Sequence, residues 1–542
     1  MVAPAASPPA SGPAAASDFA RIRDEALDVL LADSPSVARD LGLHEYDGRV
    51  APLSAAGIAE RIDKLHATER ALAAVRSEPL GPEDALDRAE LQHWVAGRLF
   101  YLVDLDAPHK LPQAYEEPFE VNVYIDRDYA PLERRAAQLV AQEEAALGEV
   151  VHARENLTVP LSKPIAEVAA RNFAGFASYL RGDVVKVFGA VGEPALRARF
   201  AKANTALSRR AEELAAWLKK ESPRGDQSHL LGPNRFRKLL EVQEGLSIPL
   251  DAFERMNEDD LAENRRAYEA LAQTAVPRPV EEAKLFATAA HMMGDAKAFI
   301  SAKAIVTLPN DDHVVVRETP PYERWNSASI DMSGPFEPAR SAFYQLTIPD
   351  RSWPAAKRAE YLGSLGDLLG TTIHEVFPGH FVQGRWAERA PTRVQKAFGN
   401  YAFVEGWAHY SEQMMIDEGL GADDPSNRLA MLHGALLRNC RFAASFAIHV
   451  RGAPLEQAEK RFVTDCYQDA ATAHEQAVRG TFDPGYFAYT LGKLEILGLR
   501  AEARARLGAG FSLQKFHDAL LAHGAPPVAL VHDAVLRAIG AL

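Results

Sequence analysis

Pro378 stands four residues after His374, inside the heptad His374-Glu375-Val376-Phe377-Pro378-Gly379-His380, and no regular helix can run through that stretch. Proline has no N–H to give the carbonyl of His374, and its ring clashes there, so the helix must break, kink or bulge. Upstream, Leu362, Leu365, Leu369 and Ile373 form the apolar stripe of an amphipathic helix that Ser352-Trp353-Pro354 opens. The chain therefore delivers a His-Glu pair to a helix end and must turn before its second histidine.

Two imidazoles beside one carboxylate are the groups of a metal-activated water, with Glu375 as the base. In the common zinc-protease helix the histidines lie four residues apart on one face. Here they are six apart, a rotation of roughly 240° on a straight helix. After the break, Gly379 leaves the backbone free, and an unwound turn or π-type bulge would bring His380 back beside His374. A helix that simply stops at Pro-Gly, with two surface histidines, has the same pattern. Gly366 and Gly370, on the His374 side of the helix, would leave open space above an ion or equally admit a neighbouring helix.

The next unusual stretch is Glu405-Gly406-Trp407-Ala408-His409-Tyr410-Ser411-Glu412, flanked by apolar residues. Glu405, His409 and Glu412 share one helix face. Charged groups on a buried helix are costly unless paired or metal-bound. Glu405 is the candidate third metal ligand, with His409 and Glu412 behind it orienting the ligands. His409 competes as a direct ligand, and an internal ion-pair network would use the same residues.

Most of the N-terminal half is scaffold. From Asp18 to about residue 300 the periodicity is helical, as in Glu83 to Val103, Pro131 to Val151, Pro164 to Val187 and Glu193 to Lys220. Val314-Val315-Val316 and Ser341 to Ile348 read as short strands, hence a small hairpin or sheet, either covering the core or offering an edge to extended peptide. The division expected is a disordered tail over 1–17 rich in Ala, Pro and Ser, a helical region over 18–300, and a catalytic region over 301–542. The fold class is mainly α, a large multi-helix fold with a small β-element beside the site.

A net charge of −14 argues against nucleic acid or an anionic membrane as partner. The start lacks a basic segment and a leucine-rich core, so a cytoplasmic location is expected, or a periplasmic or secreted one if a leader has been removed. Cys440 and Cys466 are expected as packed thiols.

His-Glu-x-x-Pro-Gly-His followed by Glu-Gly-Trp-Ala-x-Tyr-x-Glu resembles the bacterial family termed domain of unknown function 885, assigned to the gluzincin-like metallopeptidase clan. The resemblance extends to Asn156-Leu157 with Pro160, Gly232-Pro233, Arg438 and Arg441 with His449, and Pro484-Gly485 with Tyr489 and Gly492, nearly the whole chain after residue 18. It implies a mostly helical fold and a zinc-peptidase-like site, with His374, His380 and Glu405 as ligands and Glu375 as the catalytic carboxylate. The chain departs from the family's pattern at Ser445 and Ala447, where Asp and Gly are usual, and at Tyr486-Phe487 in place of Gln-Ala. These differences bear on substrate more than on metal.

Asp483-Pro484 reads as the N-cap and first residue of a helix whose opening turns carry Tyr486 and Tyr489. Tyr489, at the family position, is the candidate to stabilise an oxyanion. Arg441 and His449 would bind a substrate carboxylate or the oxyanion, or form a structural pair. The expected function is a Zn2+-dependent hydrolase of small peptides or related amides. Its rivals are a metal-free binding or scaffold protein and a zinc hydrolase of a non-peptide amide or ester. The sequence does not set the oligomeric state.

Overall fold

A computed structural model describes residues 13–75, 80–224, 226–227, 229–310, 313–320, 324, 326–338 and 340–542. Helices dominate, as the periodicity requires. Pro82–Leu99, Leu132–Glu149 and Pro194–Glu221 fall close to the expected bounds, and Lys163–Tyr179 continues through a wider π turn to Phe188. Most of the expected tail, residues 1–12, lies outside the described residues; the first helix begins at Pro13.

The N-terminal helices do not form a separate body. One apolar cluster joins Leu91 and Val95 to Val394 and Ala397. Another joins Phe236 and Phe253 to Phe442, Phe446 and Phe487. Burying such side chains contributes about 1.5–3 kcal/mol each, so these shared cores bind the two regions across residue 300.

The strands form one sheet. β1 (Val314–Glu318) and β2 (Ala328–Asp331) flank β3 (Ala342–Leu346), with β1 parallel to β3 and β2 antiparallel. The expected strands are β1 and β3; β2 lacks a continuous β-branched run and gave no sequence signal. The hydroxyl of Tyr344 on β3 lies 3.3 Å from Oγ1 of Thr372, which sets the sheet against the helix that ends at the heptad.

Five helices frame the site: α1 (Leu365–Glu375), α2 (His380–Ala387), α3 (Tyr401–Asp417), α4 (Pro425–Arg451) and, after a turn, α5 (Ala488–Leu507). A capping box between Ser364 and Asp367 starts α1. Helices α3 and α5 meet backbone to backbone. A Cβ on Gly406 would lie 2.4 Å from the Cα of Gly492, and one on Gly492 would lie 1.8 Å from the carbonyl of Ala402. Only glycine fits at either position. Gly366 plays the same part between α1 and α4, where a Cβ would meet Ala430 and Ser426 at 2.8 Å, whereas Gly370 faces open space.

Cys440 and Cys466 are bonded to each other, which corrects the expectation of packed thiols. The 26-residue separation hid the pairing, because α4 and the helix Leu455–Cys466 must fold back on each other before the sulfurs meet. No helix among the described residues is long and apolar enough to cross a membrane.

Candidate metal centre

Helix α1 stops at Glu375, and α2 starts at His380. Between them Val376 leaves the helical region and the Phe377–Pro378 peptide is cis. The chain is thus interrupted rather than bulged. Gly379 is required here for space, not for an unusual φ: a Cβ would lie 1.8 Å from the carbonyl oxygen of His374. Its N–H donates to the carbonyl of Ile373 at 3.0 Å, closing the turn. The break sets the imidazoles of His374 and His380 at right angles, with ring centroids 4.7 Å apart.

Glu405 on α3 completes the group. Its Oε2 lies 3.4 Å from Nε2 of His374 and 3.6 Å from Nε2 of His380. One ligand atom from each of the three residues falls within 4.8 Å of the others. Oε2 of Glu405 is buried and has no hydrogen-bond partner among the described residues. A buried, unmatched carboxylate oxygen facing two imidazole nitrogens suits a divalent cation, and this N, N, O set suits zinc.

Glu412, two turns along α3, accepts from Nδ1 of His374 at 2.7 Å. A carboxylate can only accept, so Nδ1 carries the hydrogen and Nε2 faces Glu405. Arg438 on α4 donates to Glu412 at 2.8 Å. Burial disfavours the charged imidazolium, but the carboxylates of Glu405 and Glu412 beside it outweigh that and raise His374 to about 9. Burial likewise opposes the charge on Glu405, yet the two histidines hold it well below the usual carboxylate range.

His409 is not among the three. It is wholly buried, with Nδ1 3.9 Å from Oε1 of Glu412, the oxygen that also accepts from Nδ1 of His374. Burial above all, with Arg438 and Lys493 nearby, lowers it to about 3 and keeps it neutral. Behind it Lys493, also fully buried, donates to both oxygens of Asp260 at 2.8 Å. Sequence reasoning overlooked the roles of Arg438, Lys493 and Asp260. Arg438 carried a signal, sitting one turn from Arg441 on an apolar helix; the Lys493–Asp260 pair spans 233 residues and carried none.

Glu375 is partly exposed and forms no hydrogen bond or ion pair among the described residues. Tyr489 lies in the first turn of α5, its ring 5.7 Å from that of Tyr401, which is one turn before Glu405. The guanidinium of Arg441 lies 4.8 Å from the Tyr489 ring and that of Arg438 lies 5.9 Å from it. Asp483 does not cap this helix. It ends the preceding one, Ala470–Phe482, and a turn from Pro484 to Phe487 intervenes, so Tyr486 precedes the helix. Asp483 instead pairs with Arg479 at 3.2 Å and accepts from the hydroxyl of Tyr401 at 3.3 Å.

His449 is not brought to the triad and does not pair with Arg441. Eleven residues after Arg438, it lies about 16 Å further along α4. Its Nε2 donates to the carbonyl of Gly480 at 2.8 Å, its ring meets that of His229 edge to face, and both line a cavity of about 180 Å³ that also reaches Tyr401 and Asp483. Ser445, one of the departures from the family's pattern, donates to the carbonyl of Pro484 at 2.6 Å and fixes the same turn.

The model of a bacterial family, described as "Bacterial protein of unknown function (DUF885)", matches residues 35–535. The chain belongs to the DUF885 family. Two solved structures share the fold. One, from Shewanella oneidensis, is described as a "putative lipoprotein of unknown function"; it is 24% identical, covers 96% of this chain and 99% of its own, and superposes with a TM-score of 0.80. The other, a "putative lipoprotein" from Colwellia psychrerythraea, is 17% identical with the same coverage and a TM-score of 0.75. No curated protein matches the chain. Within a DUF885 member, the two motifs are thus the two halves of one three-residue cluster.

Proposed function

We propose that the protein is a zinc-dependent hydrolase of the gluzincin-like kind, acting on amide bonds of small peptides or related compounds. One observation carries this reading: His374, His380 and Glu405 converge around a carboxylate oxygen that has no other partner. Zinc held there would polarise the scissile carbonyl and lower the pKa of a water toward about 7.

The chain's own groups supply the rest. Glu375 follows His374 directly, and as a partly exposed carboxylate with no competing partner it serves as general base. It takes a proton from the attacking water and passes it to the leaving nitrogen. Glu412 and Arg438 fix the tautomer of His374. Tyr489, packed among Tyr401, Arg438 and Arg441, presents its hydroxyl to the developing oxyanion. The test is hydrolysis of a defined peptide mixture followed by mass spectrometry. Zinc-loaded protein should cleave it and Glu375→Gln should not; equal activity in the two would exclude Glu375 as base.

We also infer an extracytoplasmic location, against the cytoplasmic expectation. Its support is the Cys440–Cys466 bond, of a kind that persists in oxidising compartments, and the lipoprotein descriptions of the two structural neighbours. Fractionation of the native host with an antibody tests it.

A further inference from the structure

Three arginines stand around the Tyr486–Tyr489 wall, and two are matched by a carboxylate. Arg438 has Glu412 at 2.8 Å and Arg479 has Asp483 at 3.2 Å. Arg441 has no carboxylate within ion-pair distance among the described residues. It is nevertheless held in place. Its Nε donates to Oε1 of Gln476 at 2.8 Å, and its guanidinium lies 5.0 Å from the Tyr486 ring and 4.8 Å from the Tyr489 ring. Tyr486 donates its own hydroxyl to the same Gln476 oxygen, which locks that ring as well. One edge of the guanidinium is thereby fixed, while Nη1 and Nη2 have no hydrogen-bond partner among the described residues.

Arg441 is also one turn from a residue that touches the triad. It lies three residues, one turn, beyond Arg438, whose Nη2 is 3.3 Å from Nδ1 of His374, and the Tyr489 ring touches both arginines. An immobilised, partly exposed guanidinium, with Asp483 near but not in contact, offers two parallel N–H groups to a carboxylate. In a protein with net charge −14, such a local cation is what admits an anionic ligand.

We propose that Arg441 anchors a free carboxylate of the substrate, so that the site acts on peptides or acylated amino acids with an unblocked C-terminus in preference to amidated ones. This rests on the hydrolase reading above. The amide C–N bond breaks, the water oxygen ends on the acyl carbon, and a water proton ends on the released amine. The released amine product keeps the anchored carboxylate. Arg441 is thus a binding residue rather than an oxyanion donor.

The test uses zinc-loaded Glu375→Gln protein, which binds without turnover, and an equimolar library of N-acetylated tripeptides as free acids and as amides. Retained peptides are read by mass spectrometry. Acids should be retained at least about tenfold over amides, as one charge-assisted pair requires. Arg441→Gln in the same background should abolish the preference and Arg441→Lys should keep part of it, with thermal melting confirming that each variant folds. Equal retention of both forms, retention of neither, or a preference that survives Arg441→Gln overturns the proposal. Turnover by the otherwise wild-type protein separates the two readings. An acid preference in binding with no hydrolysis removes the hydrolase and leaves the anchor. Hydrolysis of acids and amides with equal kcat/KM removes the anchor and leaves the hydrolase. In Arg441→Lys the loss on acids should fall on KM; an equal fall in kcat on acids and amides would make Arg441 an oxyanion donor instead.

Discussion

The indole N–H of Trp407 donates to the carbonyl of Pro378 at 2.9 Å, tying the helix that carries Glu405 to the broken turn that carries His380. The two motifs, separate in sequence, are one structure at this bond. Pro378 has no N–H to offer, but its carbonyl still needs a partner in a buried place, and Trp407 is fully buried beside it.

Trp407→Phe keeps most of the apolar bulk and removes the donor. The orphaned carbonyl should cost about 1–3 kcal/mol, seen as a lower urea midpoint, and zinc affinity should fall because His380 loses its fixed position. An unchanged midpoint and affinity would mean that the bond does not organise the turn.

Gly366→Ala and Gly370→Ala should behave oppositely although both residues lie on α1. The first drives a methyl into Ala430 and Ser426 and should cost about 1–3 kcal/mol. The second meets open space and should be neutral or stabilising by about 0.5–1 kcal/mol. Paired denaturation curves decide. Equal effects would contradict the packing described.

Much of this was legible before folding was considered. The Pro378 break, the Glu405 face and the amphipathic helices follow from local chemistry, where residues a few positions apart constrain each other. The partners of those residues were not legible. Trp407 reads as core filling until Pro378 is seen opposite, and Gly406 reads as a poor helix residue until Gly492 arrives from 86 positions away. Asp483-Pro484 misled for a related reason: a good capping pair also serves as the end of one helix and a turn, and the bonds from Arg479 and Tyr401 decide which.

Stability should fall on both sides of neutrality, for opposite reasons. His449 is lowered to about 4 by burial, against the pull of the Gly480 carbonyl, from an ordinary value of 6.5. Below pH 6.5 the unfolded chain binds a proton that the folded chain refuses, so its contribution is present above 6.5 and lost as pH falls toward about 4. His44 is raised to about 9, burial being outweighed by Asp47 and Glu337. Its contribution is present below 6.5 and lost as pH rises through about 9. Urea midpoints at pH 5, 7 and 9.5 should peak at 7. His449→Gln should make the acid limb shallower and His44→Gln the alkaline one, while the other buried histidines keep part of each.

The Cys440–Cys466 pairing predicts that oxidised, unfolded protein takes up no iodoacetamide and that reduced protein takes up two equivalents. Closing a loop over a separation of 26 residues should contribute about 3 kcal/mol, so Cys440→Ser should lower stability by that order. Two reactive thiols in the oxidised protein would remove the bond and one support for an extracytoplasmic location.

The most direct measurement is metal content by inductively coupled plasma mass spectrometry on the wild type and on His374→Ala, His380→Ala, Glu405→Ala and His409→Ala. The triad geometry predicts about one zinc per wild-type chain, its loss in the first three variants, and its retention in His409→Ala. Zinc retained in Glu405→Ala and lost in His409→Ala would move the third ligand. A wild type that holds no zinc after reconstitution would contradict the metal centre and, with it, the hydrolase.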